Sequence, residues 1–170
     1  MPHTACPCQS GLAYPDCCAP YHQGRSLPPD AEALMRSRYS AYALQQTGYL
    51  VATTVPAQQA LLNTTAIDQW SRNSQWLGLQ VYQHRRIGQR HAQVAFSARF
   101  QEAGGAPQTH EELSAFVLID RHWYFIDPTV PLPGMKQPCF CGSGKKFKAC
   151  CGQFFSHKHH ATMTKTQKAT

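Results

Sequence analysis

The chain has 170 residues, of which 42% are hydrophobic, and this is enough for one to one and a half ordinary domains. It contains no run of about 18 apolar residues, the length that a transmembrane helix needs, and its N-terminus lacks the basic and apolar regions of a secretory signal. We therefore expect a soluble, cytoplasmic protein. The net charge of +7 is unevenly distributed, because residues 1–135 have as many acidic residues as arginines and every lysine lies in residues 136–170.

The chain divides into four predicted segments. Clusters of proline and glycine mark the limits of the longest one, as is typical of linkers. The segments are a cysteine-rich module at 1–22, a body at 23–135, a second cysteine-rich module at 136–152, and a basic tail at 153–170 that we expect to be disordered.

The body begins with a helix, because apolar residues recur at three- and four-residue steps from Leu34 to Ala43, and Asp30 is placed to cap it. A second helix is predicted at 65–73. The pattern then changes to the alternation of strands. The predicted strands are 76–83, 91–101, 112–120 and 123–127. Helices followed by a meander of antiparallel strands predict an α+β fold, a cone-like domain in which a curved antiparallel sheet packs on the N-terminal helices.

Both ends of the chain carry the pattern C-x-C-x8-C-C, with Ser-Gly and an aromatic residue at matching offsets. Thirteen residues bury too little apolar surface to fold alone, whereas four thiolates around one metal ion can supply the missing free energy. The repeat therefore predicts two modules with one metal ion each. Because protein ligands fill all four positions, both sites are expected to be structural. The predicted ligands are Cys6, Cys8, Cys17 and Cys18 in the first module, and Cys139, Cys141, Cys150 and Cys151 in the second.

Other roles for the cysteines are less favoured. Adjacent cysteines such as Cys17 and Cys18 bridge only with strain, and disulfides are rare in a reducing compartment. No cysteine stands apart from its set as a catalytic thiol would. Zinc is the favoured metal and iron stays open, because tetrahedral four-cysteine sites suit both. His22 could replace Cys18, and His157 could replace Cys151, if two adjacent cysteines cannot reach one ion.

The second module resembles the SEC-C motif, the small zinc-binding module at the C-terminus of the SecA translocation motor. Residues 139–151 follow the pattern C-x-C-G-S-G-K-K-[FY]-K-x-C-[CH], with Phe140 where proline is usual. The first module is looser, with Gln9 in place of glycine and Leu-Ala at 12–13 in place of the lysine pair. In SecA this module contacts the chaperone SecB and the ribosome and has been linked to iron as well as zinc. The resemblance implies similar metals and partners here.

The whole chain to about Gln153 resembles the bacterial YchJ family. The segments that carry this resemblance are Leu-Met-Arg-Ser-Arg-Tyr at 34–39, Trp-Leu-Gly-Leu at 76–79 and Trp-Tyr-Phe-Ile-Asp at 123–127. The resemblance implies a middle domain of the nuclear transport factor two type, an α+β cone that often holds a pocket. It implies an architecture rather than an activity.

The favoured function is that of a zinc-binding adaptor rather than an enzyme. Its C-terminal module would bind an anionic partner through Lys145, Lys146 and Lys148. The partner would be a protein or ribonucleoprotein, such as a ribosome or a secretion chaperone, or a nucleic acid, and not a membrane. The body, which lacks cysteine, is expected to stay folded without metal.

The alternative function is that of an enzyme or small-ligand binder that uses a pocket in the cone. The body has no nucleophile–base motif, and aromatic residues at helical or strand spacing are usually core. The residues predicted to line such a pocket are Arg36, Arg38, Tyr39, Tyr42, Trp76, Glu111, Glu112, Trp123 and Asp127.

Overall fold

The computed structural model describes residues 4–155, and these form an α+β fold, as predicted. Its helices are α1 (Ala19–His22), α2 (Ala31–Ala43), α3 (Thr47–Ala52), α4 (Pro56–Gln59) and α5 (Thr64–Asn73). Its strands are β1 (Ser74–Ile87), β2 (His91–Glu102), β3 (Gln108–Ile119) and β4 (His122–Ile126), and they form one curved antiparallel sheet in the order β1-β2-β3-β4. Within the described residues, no helix is long and apolar enough to cross a membrane.

The two helices predicted from the sequence are present, and both have side-chain caps. A carboxylate oxygen of Asp30 accepts a hydrogen bond from Ala33 N at 2.8 Å, and the side chain of Asn63 accepts one from Ala66 N at 3.0 Å. Such caps satisfy backbone N–H groups that have no partner inside the helix. Helices α1, α3 and α4 were not predicted, because four to six residues are too few to show a helical period.

Three of the four strands are longer than predicted, most of all β1, which ends at Ile87 rather than at residue 83. β4 has the predicted length but lies one residue earlier. The pairing of β1 with β2 shifts register between Trp76 and Gly78 and again between Val81 and Gln83. A β-bulge puts two consecutive residues on one side and so breaks the alternation by which a strand is recognised in a sequence. The missing part of β1 therefore lies just after the second irregularity.

The two faces of the sheet are covered by different parts of the chain. Phe116 of β3 faces α2, where it packs in one hydrophobic cluster with Leu34 and Met35. Its neighbours Ala115 and Val117 point the other way and pack in a second cluster, which contains aromatic residues of the C-terminal module. Successive residues of a strand point to opposite faces, so a strand that is buried on both sides reads as a continuous apolar run. This explains why residues 114–117 are all buried.

Aromatic side chains fill the interior of the cone between the helices and the sheet. Trp76 packs against Tyr39, Tyr42, Trp70 and Phe100, with ring centroids 5.1–5.9 Å apart. Edge-to-face and tilted contacts at such distances stabilise a core beyond the burial of area. Tyr39, Tyr42 and Trp76 were candidates for lining a pocket under the alternative function, and in the structure they pack against one another in the core.

Arg38 is also part of this core. Its guanidinium is buried, donates hydrogen bonds to the Leu50 carbonyl oxygen at 2.8 Å and to Thr53 Oγ1 at 2.7 Å, and lies 4.5 Å from the centre of the Phe125 ring. Burial lowers the pKa of Arg38. A buried cation needs such partners, so Arg38 serves to join α2 to α3 and β4 rather than to bind a ligand.

Packed structure extends beyond the predicted end of the second module. A 3-10 helix runs from Cys151 to Phe154, and both Phe154 and Phe155 are buried. The predicted tail at 153–170 therefore begins too early by at least three residues, because these two aromatic side chains pack under the second face of the sheet. The remainder of that predicted tail, from residue 156, lies outside the described residues.

Candidate metal centres

The N-terminal module is a tight loop that folds back on itself. Cys6 N donates to the Leu12 carbonyl oxygen at 2.9 Å, and Leu12 N donates to Ser10 Oγ at 3.2 Å. A 3-10 turn at Tyr14–Asp16 follows and leads into the second pair of cysteines. The Ser-Gly step thus forms the turn between the two cysteine pairs.

The C-terminal module has the same hydrogen bonds at the matching positions. Cys139 N donates to the Lys145 carbonyl oxygen at 2.8 Å, and Lys145 N donates to Ser143 Oγ at 3.2 Å. A 3-10 turn at Phe147–Ala149 again leads into the second cysteine pair. Two segments of one pattern therefore adopt one local backbone.

The same two positions of each loop have positive φ angles. They are occupied by Gly142 and Gly144 in the C-terminal module, with φ of 80° at both, and by Gln9 and Gly11 in the N-terminal module, with φ of 59° and 88°. Glycine adopts this conformation freely, whereas glutamine does so with strain. The side chain of Gln9 offsets that strain, because its Oε1 accepts a hydrogen bond from Leu79 N on β1 at 3.2 Å.

Each module brings its four sulfur atoms together, with all four within 4.8 Å of one another. The closest pairs are Cys8 and Cys17 at 3.6 Å and Cys141 and Cys150 at 3.5 Å. Four sulfurs placed tetrahedrally at about 2.3 Å from a zinc ion would be about 3.8 Å apart. These separations fit a metal ion and are far too long for a disulfide, and all eight cysteines are free thiols. Each cluster could therefore hold one metal ion.

His22 does not take the place of a cysteine in the first cluster. Its Nδ1 accepts a hydrogen bond from the Tyr14 hydroxyl at 2.8 Å, and its Nε2 donates one to the Ser37 carbonyl oxygen at 2.7 Å. Both ring nitrogens are thus engaged, and Cys18 lies with the other three sulfurs. In the C-terminal module Cys151 likewise lies with its set, while His157 is outside the described residues.

The body supplies further hydrogen bonds to the first cluster. Ser40 on α2 donates to Cys18 Sγ at 3.4 Å and lies 3.5 Å from Cys6 Sγ. One turn earlier, Arg36 donates to the Cys8 carbonyl oxygen at 2.9 Å and also pairs with Glu32 at 3.2 Å. Arg36 was predicted to line a pocket, and the structure shows that it anchors the module to α2 instead.

Two adjacent residues at the start of β2 contact the second cluster in a similar way. His91 Nε2 lies 3.4 Å from Cys151 Sγ and 3.7 Å from Cys150 Sγ. Arg90 donates to the carbonyl oxygen of Cys141 at 3.4 Å and to its Sγ at 3.6 Å. Partners of this kind orient ligands and stabilise their negative charge. Neither residue could be identified from the sequence, since they lie about 50 to 60 positions from the cysteines they contact.

In both modules it is the second cysteine of C-x-C whose thiol is acidified. Hydrogen bonds, chiefly from Cys18, lower the pKa of Cys8 to about 4. At Cys141 burial raises the pKa, but hydrogen bonds from Ser143 and neighbouring cysteines outweigh it, so the pKa falls to about 7. Burial raises the pKa of Cys151. Each cluster therefore contains one thiol that loses its proton readily, as the binding of a metal cation requires.

The three lysines predicted to bind a partner, Lys145, Lys146 and Lys148, are all exposed on the C-terminal module. At the first two matching positions the N-terminal module has Leu12, which is 54% exposed, and Ala13, which is half-buried. The two modules thus present different surfaces on one backbone.

The remaining residues of the predicted pocket do not converge on a shared site. Glu112 is hydrogen-bonded to His110 at 2.9 Å, Glu111 is exposed, and a carboxylate oxygen of Asp127 accepts from the Thr129 hydroxyl at 2.6 Å. A groove of about 470 Å³ lies elsewhere, between the N-terminal module, α3 and β4. Trp123 lines it, whereas the other eight residues of the predicted pocket do not.

Comparison with known proteins places this architecture in a family. A family model described as "YchJ, middle NTF2-like domain" matches residues 30–128, and the SEC-C motif matches residues 135–153. The chain belongs to the YchJ family. YchJ-like relatives include a UPF0225 protein of Actinobacillus succinogenes, 51% identical over 88% of this chain and 97% of its own length. A UPF0225 protein of Haemophilus influenzae is 52% identical over 88% of this chain and 92% of its own length.

Two solved structures that resemble this YchJ-family chain are those of SEC-C motif containing proteins. A SEC-C motif containing protein from Psychrobacter arcticus aligns with a TM-score of 0.81 at 46% identity, over 88% of this chain and 96% of its own. The solution structure of a SEC-C motif containing protein from Rhodopseudomonas palustris aligns with a TM-score of 0.67 at 39% identity, over 72% of this chain and 94% of its own. The resemblance that the sequence indicated is thereby confirmed.

Proposed function

We propose that the protein is a cytoplasmic zinc-binding adaptor, which holds one zinc ion in each terminal module and binds an anionic partner through the C-terminal one. The observation that carries the metal assignment is the pair of four-sulfur clusters, each within 4.8 Å. Four thiolates suit zinc, and iron is the second candidate for the same geometry.

The zinc would be held by the four cysteines of each cluster and would have a structural role. When bound, it would supply folding free energy to two loops of thirteen residues. Seven of the eight cysteines are buried, and only Cys17 is partly exposed. A set of four protein ligands leaves no position for water or substrate, so we assign no catalysis to either centre.

The partner assignment rests on the charges of the C-terminal module. Lys145, Lys146 and Lys148 are exposed, and residues 139–151 contain no acidic residue. The loop that bears these lysines is fixed by its cysteines and by the contacts of Phe147, which is 1% exposed. A positive surface on a rigid support favours an anionic partner and fast, salt-dependent association.

The experiment is a triple substitution of Lys145, Lys146 and Lys148 with glutamine. Its matched control replaces the three lysines of the tail, Lys158, Lys165 and Lys168, so that both variants lose the same charge. Native mass spectrometry should give two metal ions per chain for the parent and both variants. Binding to purified ribosomes and to a polyglutamate peptide is then measured at two salt concentrations.

We expect the module variant to bind at least one of these partners more weakly than the control, with a flatter dependence on salt. If both variants bind as the parent does, the lysines are only a solvated surface and the adaptor proposal is wrong. A metal content of one or none in the parent would instead contradict the assignment of the two centres. Iron in place of zinc would be visible as colour.

A further inference from the structure

Charge in residues 1–135 is segregated in space although these residues sum to zero. Several acidic side chains are engaged locally: Glu32 and Asp68 pair with arginines of their own helices, and Asp30 caps α2. Glu102 and Glu111 lie toward the end of the sheet where β2 turns into β3. These carboxylates leave the opposite end of the sheet with little negative charge.

That opposite end, which we call the basic end, is formed by three segments: the β1–β2 hairpin at 85–91, the β3–β4 turn at 119–122 and the C-terminal module at 136–152. In these segments Asp120 is the one acidic residue, against eight lysines and arginines. The cations are Arg85, Arg86, Arg90, Arg121, Lys136, Lys145, Lys146 and Lys148.

Direct contacts hold the three segments together. The side chain of Arg90, at the hairpin tip, donates a hydrogen bond to the Cys141 carbonyl oxygen of the module. The carbonyl oxygen of Arg90 accepts one from Leu118 N on β3 at 2.7 Å. Ile87 and Ile119 pack against the hydrophobic cluster that includes the module's cysteines. The hairpin tip, the β3–β4 turn and the module therefore meet at one end of the sheet, although the sequence distributes them over more than 60 residues.

Aromatic rings lie among these cations. The rings of His122 and Tyr124 stack with an angle of 24° between their planes, and His122 is exposed next to Arg121. Arg86 is exposed as well, and its guanidinium lies 5.4 Å from the centre of the Trp123 ring, which is itself buried. The accessible rings are therefore those of His122 and, in part, Tyr124. Guanidinium groups interleaved with aromatic rings are typical of surfaces that bind the phosphates and bases of single-stranded nucleic acid. An acidic protein surface would require the charges but not the rings.

We propose that the basic end binds single-stranded RNA, with the hairpin arginines contacting phosphates alongside the lysines of the C-terminal module. This inference rests on the proposed function for its lysines and adds the body to the binding surface. It also assigns the partner to the ribonucleoprotein class rather than to acidic proteins.

The test replaces Arg85, Arg86 and Arg121 with glutamine and leaves Arg90 in place, because Arg90 contacts Cys141 and its loss would disturb the metal centre. The matched control replaces Arg25, Arg72 and Arg99, which are exposed and lie outside the basic end. Fluorescence anisotropy measures binding of a 20-nucleotide polyuridine RNA by the full chain at several salt concentrations. Metal content and the unfolding midpoint verify that each variant is folded.

We expect the hairpin variant to bind this RNA roughly tenfold or more weakly than the control, and the salt slope to fall by about 2, since each lost phosphate contact on a single strand removes about 0.7. The lysine variant should also bind more weakly. If only the lysine variant is weakened, the body arginines take no part and this inference is wrong, while the proposed function stands.

The second measurement is binding of the same proteins to the polyglutamate peptide. If the lysine substitution abolishes binding to the peptide while none of the proteins binds RNA, the partner is an acidic protein and the RNA assignment is overturned. If neither polyanion binds the parent chain, both this inference and the proposed partner of the C-terminal module are overturned.

Discussion

The two terminal modules have the same local backbone but attach to the body in different ways. The N-terminal module lies on the helical side of the sheet, where Ser40 and Arg36 of α2 contact it through hydrogen bonds. The C-terminal module covers the other side, where Phe147, Phe154 and Phe155 are buried with Val117 and other residues of the sheet.

The aromatic position of the motif illustrates the difference. Tyr14 is half-buried and donates its hydroxyl proton to His22, which in turn is bonded to α2. Phe147, at the matching position, is 1% exposed and has no polar group to satisfy. The comparison teaches that the motif fixes a loop and a set of ligands, whereas the surface that the loop meets decides whether its outward residues are polar or apolar.

The largest effect should follow from removing the metal. The cysteines of both modules lie inside the two hydrophobic clusters of the body. We therefore expect metal removal to destabilise the body, whereas the sequence had suggested that the body stays folded without metal. Chelation should lower the free energy of unfolding of the protein by roughly 3 kcal/mol or more. Denaturant unfolding with and without chelator measures this change.

Adding zinc back should restore the original unfolding midpoint, which is the control for damage by the chelator. Amide exchange at Leu34 and Val117 reports on the two faces separately. Should the unfolding midpoint of the body remain the same after complete metal removal, the modules are appendages and the comparison between their two interfaces loses its meaning.

The next effect concerns the aromatic position. Phe147→Ala should cost about 3–5 kcal/mol, as expected for a buried phenylalanine. Tyr14→Ala should cost about 1–2 kcal/mol, because its ring is half-buried and it loses one hydrogen bond. Denaturant unfolding of the two zinc-loaded variants gives both values. Equal losses would show that the two modules contribute equally to the core, against the difference seen in their burial.

The smallest effect concerns the hydrogen bonds to the sulfur atoms. His91→Ala should weaken metal binding at the C-terminal site by roughly 10–100-fold and leave the N-terminal site unchanged, because His91 contacts only Cys150 and Cys151 among the cysteines. Ser40→Ala should do the reverse, with a smaller effect, because a hydroxyl is a weaker partner for a thiolate than an imidazole N–H.

The two sites can be followed separately by the rate of zinc transfer to a competing chelator, with the released cysteines identified by alkylation and mass spectrometry. His91→Gln keeps a side-chain N–H donor and should restore part of the lost affinity, which a purely steric role would not predict. Release from both sites at the parent rate in His91→Ala would mean that these contacts do not affect the metal.

Much of the fold could be predicted because its signals are local. The cap at Asp30, the helical period of α2 and the alternation in β2 each lie within a dozen neighbouring residues. The shortest helices and the extra length of β1 escaped prediction, because single turns have no period and the irregularities between Trp76 and Gly78 and between Val81 and Gln83 break the alternation. The pocket was predicted wrongly because aromatic side chains on α2 and β1 look alike in a sequence whether they line a cavity or fill it.

The two four-cysteine modules could be recognised from the sequence alone, since the cysteine spacing and the Ser-Gly turn lie within thirteen residues and need no contact with the rest of the chain. The sequence also determined the helix-then-sheet order that places this chain in its family. Only the tertiary structure decided which groups surround the sulfurs, such as His91, and which side of the sheet each module covers. The tertiary structure also brings the β1–β2 hairpin against the second module, through the contact of Arg90 with Cys141. The physical reason is that these relations depend on how separate segments pack, and packing depends on the shapes of both partners rather than on the order of residues in either.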